Sequence, residues 1–572
     1  MKEIEDLLRS YWGYKSFKPQ QEKIINSIIK GNNTLAILPT GGGKSLCYQL
    51  PSLILEGTTL VISPLIALME EQVGLLKKIG ISSFYFKSES PNSSTNQQLD
   101  NLINGNYKIV YCSPEKFVNK DFLNKISQAN INHIAIDEAH CISEWGHNFR
   151  PAYRHVAKIR SILPQTPILA LTATATSDVT NDIQENLLFK KKNLIKSSFI
   201  RANMSYVIEK KEDKQSRLLR LLNKVKSSVI IYVRTRKETE ELSSFLITQN
   251  FSASYYHAGL SNDERSTRQE KWTKNQSRII VATNAFGMGI NKADVKLVVH
   301  MYIPATIEAY FQETGRAGRD NKTAYSFLII NDNDISENKK LLELKYPTIK
   351  EIVKVYQNIA NYLQIALGDF PESPIPFDIG KFSHRYKINN TKTHNALRYL
   401  EREELIKISN TPHSPSKIKI NISITQLYNF QISNKSYDSF IKFLLRTYNN
   451  IFNHLVIINE KKIANYLNCS TDTIKKILTK LKKLEILEYQ EENTLSQLIF
   501  LQARADLETL QLNEEEWRKR KYHEQKKLNT IIHYINTKDT CRSKLLLDYF
   551  GEEISEECGA CDVCINKKRN NT

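Results

Sequence analysis

The sequence predicts an α/β protein built from two successive parallel-sheet halves, followed by a mostly helical third and a small metal-binding end. Three observations carry this expectation. Both halves alternate short apolar, β-branched runs with helical patterns, as sheets flanked by helices require. A Gly-rich loop lies between a buried-strand pattern and a helical run near residue 40. Four of the eight cysteines crowd into the last 32 residues.

A chain of 572 residues accommodates three or four domains, and a 41% hydrophobic content supports well-formed cores. The charged start, Met1-Lys2-Glu3-Ile4-Glu5-Asp6, is not a secretory signal. The longest apolar stretch, Leu60–Met69, is interrupted by Ser63-Pro64 and is too short to span a bilayer. The expectation is therefore a cytoplasmic chain with no membrane partner. The excess of 80 Lys and Arg over 61 Asp and Glu gives +19, with a pI near 9.3. Such an excess favours a polyanionic partner, most often nucleic acid.

Tyr14, Phe17, Lys18 and Gln21 precede a helical stretch, Glu22–Lys30. An aromatic face there suits stacking on a base, and the Gln21 amide offers a donor and an acceptor; a helix-start staple would use the same residues. The strand pattern Asn33–Leu38 then leads into Pro39-Thr40-Gly41-Gly42-Gly43-Lys44-Ser45. Glycines let backbone N–H groups close around phosphates, and the helix that follows adds a favourable dipole. Lys44 would reach the β/γ-phosphates and Ser45 would ligate Mg²⁺. Leu38 stands where the general phosphate-loop pattern begins with glycine.

Further first-half strands are expected at Leu60–Ile62, Ile109–Cys112, Ile134–Ile136 and Ile168–Leu171. The third ends in Asp137-Glu138-Ala139-His140. Asp137 can hold magnesium, and Glu138 can orient and deprotonate a water. The loop that follows carries Trp145, His147, Phe149 and Arg150, side chains suited to stacking on nucleic-acid bases. Second-half strands are expected at Val229–Val233, Ile279–Ala282, Leu297–His300 and Ser326–Ile330, with a linker near 198–215. Gln312-Glu313-Thr314-Gly315-Arg316-Ala317-Gly318-Arg319-Asp320 presents two arginines three apart, a pattern suited to γ-phosphate charge. They reach the same nucleotide only if the second domain closes over the first.

Residues 337–370 are helical in pattern, up to a Pro-rich break at Pro371–Pro376. Beyond it an ungapped repeat aligns Phe382…Tyr386…Leu397…Leu400…Leu405 with Ile463…Leu467…Leu478…Leu481…Ile486. Each copy predicts a short helix, a polar turn, a longer amphipathic helix and a strand, which is a helix-turn-helix or winged-helix pattern. Lys475, Lys476, Lys480, Lys482 and Lys483 on the second copy favour phosphate contact. Cys541, Cys558, Cys561 and Cys564 can surround one tetrahedral ion, with Zn²⁺ the usual occupant of a closed, structural site. Cys47, Cys112, Cys141 and Cys469 read as core or incidental thiols.

Over residues 8–330 the succession of motifs resembles the RecQ helicases of helicase superfamily two. It runs from Trp12-Gly13-Tyr14 through Gly43-Lys44-Ser45, Ser63-Pro64-Leu65, Asp137–His140 and Leu171–Ala175. It continues through Tyr256–Leu260 and Ala285–Ile290 to Gln312–Asp320. The end resembles that family's zinc-binding subdomain, through Cys541-Arg542, Tyr549-Phe550-Gly551-Glu552 and the remaining cysteines. The resemblance implies two RecA-like P-loop domains (1–200, binding ATP, and 201–335). A helical linker with tandem winged-helix-like modules (336–510) and a zinc-binding module (511–572) would follow. It implies ATP-dependent 3′→5′ unwinding of duplex or branched DNA in recombination and repair, with ATP, Mg²⁺ and Zn²⁺.

By position, Tyr14, Lys18 and Gln21 would contact adenine. Thr40, Gly41, Gly43, Lys44, Ser45 and Gln312 would complete the nucleotide contacts, with Ser45 and Asp137 on Mg²⁺. Glu138 would activate water, while Arg316 and Arg319 would sense the γ-phosphate. Ser143, Trp145, His147, Phe149 and Arg150 form the aromatic-rich loop that would link DNA binding to hydrolysis, with Thr172 and Thr174 coupling closure to DNA movement. Single-stranded and forked DNA, a single-strand-binding protein and a topoisomerase are the partners implied, for a monomer associated with a bacterial nucleoid. Two positions depart from the family: Lys18 replaces the usual Arg, and Asn321 the usual Gly. The winged-helix-like repeats precede the zinc module instead of following it, and no segment remains for the helicase-and-RNase-D C-terminal domain of many relatives. Competing readings are a DNA-docking protein with a vestigial ATPase, and a motor that tracks RNA.

Overall fold

Seven strands form the first sheet: β1 (Thr34–Ile37), β2 (Thr58–Ile62), β3 (Ser83–Tyr85), β4 (Ile109–Cys112), β5 (Ile131–Ile136), β6 (Ile168–Thr172) and β7 (Leu194–Lys196). This computed structural model describes residues 2–86, 92–105, 107–144, 146, 150–287, 292–409, 416–448, 450–491, 496–506, 510 and 512–570. The strand order is β3-β4-β2-β5-β6-β1-β7, with every pairing parallel. β1, β2, β4 and β6 are buried along their whole length. A parallel strand covered on both faces needs an unbroken apolar run, and these four segments supply one. Val61, Tyr111, Ala135 and Leu169 pack with Ile24 and Ile28 of the helix Gln21–Ile29 in a single core.

The second sheet contains β8 (Met204–Lys210), β9 (Ser228–Tyr232), β10 (Ala253–Tyr256), β11 (Ile279–Ala282), β12 (Val295–His300) and β13 (Ala324–Ile330). Its order is β10-β11-β9-β12-β13-β8, again all parallel. Leu222, Val229, Ile231, Val281, Val299 and Ile329 form its core. The segment between the sheets is shorter than the expected 198–215: only 197–203 separate β7 from β8. β8 was hidden because it is an edge strand whose second half is half-buried and ends in an exposed lysine, so it lacks an apolar signature.

The chain divides into two units, Met1–Lys339 with Tyr522–Thr572, and Lys340–Lys521. In the second unit, β14 (Ile375–Phe377), the helices Ile379–Tyr386 and Asn390–Arg402, and β15 (Ile406–Ser409) begin one winged helix. Then β16 (Lys417–Ile420), β17 (Val456–Ile457), the helices Glu460–Tyr466 and Thr471–Lys483, and β18 (Leu487–Gln490) form another, with sheet order β17-β16-β18. Only afterwards does β19 (Ser496–Phe500) complete the first sheet, antiparallel between β14 and β15. The expected tandem arrangement is therefore nested, with one module inserted in the wing of the other. The repeat reveals the helix pairs but not which later strand returns to pair with β15. The polar turns of both copies are caps: Asn389 accepts from the Thr391 and Lys392 amides, and Ser470 from the Thr473 amide.

In the first unit, the cysteine-bearing end lies against β8. Ser205 donates to the Ala560 carbonyl at 2.6 Å and the Ile208 amide to Asp562 at 3.3 Å. Arg542 holds the same Asp562 at 2.9 Å. This covers an edge that would otherwise expose unpaired backbone groups. No helix among the described residues is long and apolar enough to cross a membrane.

Candidate nucleotide and metal sites

The Gly-rich loop follows β1 and turns into the helix Leu46–Ile54. Gly41 and Gly43 adopt φ of +83° and +77°, which side-chain-bearing residues avoid. Gly43 is constrained twice, because a Cβ there would meet Gln21 Nε2 at 2.3 Å. Leu38, at the first position of the general pattern, is 1% exposed and belongs to the sheet's core. A glycine there would open a cavity, so the departure has a packing reason.

Gln21 is buried and ties the loop to the preceding segment. Its amide donates to the Gly43 carbonyl at 3.0 Å and accepts from the Lys18 amide at 2.8 Å. Lys18 Nζ donates to the Gly41 carbonyl at 2.7 Å. A lysine thus reaches the loop from below as a point charge, without the planar fork an arginine would present. Tyr14, four positions before Lys18, is exposed. Thr40 and Ser45 are half-buried, and Ser45 is the N-cap residue of the helix after the loop.

The carboxylates sit at the end of β5, at the same sheet edge. Glu138 adopts φ +49° and ψ +47°, in the left-handed region that residues other than glycine rarely enter, and its amide donates to Asp137 Oδ1 at 3.0 Å. Lys44 Nζ lies 3.5 Å from Glu138 Oε1, and His140 Nδ1 lies 3.3 Å from Glu138 Oε2. His140 Nδ1 also faces Thr172 Oγ1 at 3.0 Å, and that hydroxyl donates to the Thr174 carbonyl at 3.1 Å. One chain of contacts therefore links the Gly-rich loop, the carboxylate pair and the end of β6. Burial and the neighbouring Glu138 push Asp137 up to about 6, against the pull of Lys44. His140, raised to about 10, shares the neutralisation of this pair with Lys44; two adjacent carboxylates at a strand end are the oxygen donors a divalent cation takes.

The arginine segment follows the helix Ile307–Thr314 and closes on the loop from the second sheet. A Cβ on Gly315 would lie 3.3 Å from Thr40 Cβ, and one on Gly41 would lie 3.8 Å from Arg319 Cγ. Arg316 is buried and donates to the Gly287 carbonyl. Burial, with Arg316 and Arg201 nearby, holds Arg319 down at about 10. Gln312 is half-buried on the helix. Asn321 has φ +60°, and asparagine is among the few residues that tolerate the left-handed region glycine usually fills.

Of the loop 143–150, Ser143 is buried, and its carbonyl accepts from the Gly146 amide at 3.1 Å. Arg150 donates to the Pro64 carbonyl at 3.0 Å. Trp145, His147 and Phe149 lie outside the described residues. Lys527, on the helix Glu514–Asn536, donates to the Gly146 carbonyl at 3.1 Å. No sequence pattern marks this contact, which spans 381 positions.

The sulfur atoms of Cys541, Cys558, Cys561 and Cys564 all lie within 4.8 Å of one another. Zn–S bonds of about 2.3 Å in a tetrahedron place sulfurs about 3.8 Å apart. The 3.4 Å between Cys561 and Cys564 and the 4.0 Å between Cys558 and Cys564 bracket that value. The Arg542 amide points at Cys561 Sγ (3.4 Å) and the Cys558 amide at Cys541 Sγ (3.3 Å), as suits thiolates. On the helix Thr471–Lys483, Lys475 pairs with Glu491 at 2.8 Å and Lys482 with the Tyr489 carbonyl at 2.9 Å. Lys476 and Lys483 are exposed.

Two parallel-sheet domains, a phosphate-type loop on one and paired arginines from the other meeting it, define a two-domain helicase core. Family models agree: "DEAD/DEAH box helicase" matches residues 18–183 and "Helicase conserved C-terminal domain" 213–321. "RecQ helicase winged-helix domain, Bacteroidota" matches 418–491 and "RecQ zinc-binding" 500–565. The chain belongs to the RecQ helicase family. It is 39% identical to "Probable ATP-dependent DNA helicase RecS" of Bacillus subtilis (strain 168), over 62% of this chain and 72% of that protein. It is 40% identical to "ATP-dependent DNA helicase RecQ" of Pasteurella multocida (strain Pm70), over 64% of this chain, and spans only 57% of that relative's length. The crystal structure of "DUF1998 helicase MrfA bound to DNA and AMPPNP" shares the fold at a TM-score of 0.50 and 18% identity, over 59% of this chain and 51% of that one.

Proposed function

We propose that the chain is an ATP-dependent DNA helicase that moves 3′→5′ on one strand and unwinds duplex or branched DNA in recombination and repair. The observation that carries this reading is the apposition of the Arg316–Arg319 segment to the Gly-rich loop. An ATP between them would be gripped by both domains, so its hydrolysis would change how they sit together.

In this mechanism, Lys18, Gln21 and Tyr14 orient the base, and the loop amides with Lys44 hold the phosphates. Ser45 and Asp137 would hold Mg²⁺, which supplies charge neutralisation on the β- and γ-phosphates. Glu138 accepts the proton of the attacking water, with His140 and Lys44 fixing its two oxygens. Arg316 and Arg319 stabilise the charge that develops on the transferred group. Movement of the 143–150 loop on DNA reaches Glu138 through the short turn 139–142. The four cysteines would hold Zn²⁺, whose role is to fold the module. A cytoplasmic, nucleoid-associated setting accords with the basic charge and the bacterial relatives.

ATP turnover with no nucleic acid, single-stranded DNA or RNA, and unwinding of duplexes with 3′ or 5′ tails, test the proposal. Stimulation by DNA and opening of the 3′-tailed substrate are expected. Stimulation by RNA alone, or opening of the 5′-tailed duplex alone, would overturn it.

A further inference from the structure

The run Tyr549-Phe550-Gly551-Glu552 closes the helix Arg542–Tyr549 and serves neither the cysteine cage nor the nucleotide site. It contacts the segment that joins the two sheets. The Glu552 carboxylate accepts the Ser198 hydroxyl on one oxygen and the Phe199 amide, at 2.8 Å, on the other. Lys196 Nζ donates to the Phe550 carbonyl at 2.6 Å. The buried Phe550 ring lies 4.7 Å from that of Phe199 and 5.1 Å from that of Phe311, on the helix that leads to the arginines. On the same helix, buried Glu308 accepts the Tyr549 hydroxyl at 2.7 Å. Gly551, at φ +69°, makes the turn that lets residues on both sides of it face this segment.

The segment continues directly to the arginine loop. Arg201 donates to the Ala317 carbonyl at 2.5 Å and Asn203 to the Gly318 carbonyl at 2.7 Å. Those two carbonyls belong to the residues between Arg316 and Arg319. An unbroken path therefore runs from Glu552 through residues 198–203 to the backbone that presents both guanidinium groups.

We propose that Tyr549, Phe550 and Glu552 are positioning residues: they brace the segment between the two domains and so set the arginine loop against the Gly-rich loop. A tail that only capped the β8 edge would need no buried ring wedged between the linker and the arginine helix, and no carboxylate on the linker backbone. Two hydrogen bonds to one carboxylate fix direction as well as proximity. The activity readout below rests on the ATPase reading proposed above; the exchange readout does not.

The test compares zinc-loaded full-length wild type with Glu552→Gln, Ser198→Ala, the double variant and Tyr549→Phe. Zinc content, ATP kcat and KM, and amide hydrogen exchange over 198–203 are measured for each. Glu552→Gln is expected to keep its zinc, to lower kcat about tenfold with KM within about twofold, and to speed exchange at Phe199 by about tenfold or more. Ser198→Ala should add little to Glu552→Gln, because both act on the single Ser198–Glu552 contact, one by deleting the hydroxyl and the other by removing the charge that strengthens it. Tyr549→Phe should lower kcat less, with zinc again retained. Unchanged kcat and exchange in Glu552→Gln and Tyr549→Phe would overturn the proposal. So would effects of Glu552→Gln and Ser198→Ala that simply multiply, or a kcat loss that appears only when zinc is lost. A wild type without ATPase would sink the motor reading, while exchange at 198–203 would still decide the brace.

Discussion

Lys44 Nζ lies 3.5 Å from Glu138 Oε1, which joins the Gly-rich loop to the strand-end carboxylates across one sheet edge. Lys44→Ala removes the cation on Glu138 Oε1 and, on the proposed mechanism, the contact to the nucleotide phosphates, leaving His140 as the remaining cationic neighbour of Glu138. DNA-stimulated ATP turnover is expected to fall by about a hundredfold or more, and Arg319→Ala by about a thousandfold with nucleotide still bound. Steady-state turnover beside a fluorescent-nucleotide titration measures both. Unwinding by the Lys44→Ala protein at wild-type rate would refute the assignment.

The contact of Lys527 with the Gly146 carbonyl places the helix Glu514–Asn536 against Gly146. Lys527→Ala is expected to lower the ratio of DNA-stimulated to basal ATPase about threefold while basal turnover holds, since one charge-assisted hydrogen bond is lost. Trp145→Ala should lower the same ratio. Equal stimulation in Lys527→Ala and wild type would show that the helix does not govern the loop.

Cys561→Ser removes one of four mutually close sulfurs and the acceptor of the Arg542 amide. Zinc content should drop from about one ion per chain to background, with a lower unfolding midpoint, because metal binding and folding are coupled in such modules. Elemental analysis and thermal unfolding report this. A metal-free protein of wild-type midpoint would exclude a structural role.

His133 on β5 is fully buried beside Thr59 and Asn132, and burial drives it down to about 3 from an ordinary 6.5. The unfolded chain binds a proton at this residue below pH 6.5, whereas the folded chain does not. Stability is therefore complete above pH 6.5 and is lost as pH falls toward 3, by about 1.4 kcal/mol per pH unit. His133→Gln should show a smaller fall in melting temperature between pH 7 and 5 than wild type. Parallel pH profiles would contradict this.

The sequence exposed those parts of the fold in which burial and chemistry act locally. β4 and β11 begin and end where their apolar runs do, and the glycines at 41 and 43 announce a backbone no other residue adopts readily. The edge strands β3, β7, β8 and β10 escaped because they are short or only part-buried, and half-wet strands carry no continuous apolar run. The Asp137–Glu138 pair, Lys44 and the arginines were legible because each sits in a motif with its own chemistry. Their meeting was not, since it depends on how two sheets close. Arg201, Asn203 and Lys527 act through backbone carbonyls of distant residues, and a carbonyl leaves no mark on residue identity.

The nesting of one winged helix inside another imposes an order of events during synthesis. β14 and β15 leave the ribosome early, but the strand that lies between them, β19, is made only after residues 410–495. The inner module contains all its own partners and can fold while its host still waits with two unjoined strands. Closing the outer sheet then brings together distant parts of the chain, a slow kind of step. A chain halted before residue 496 would carry a finished inner module on an unfinished outer one, and its bare strand edges would make that intermediate prone to aggregate.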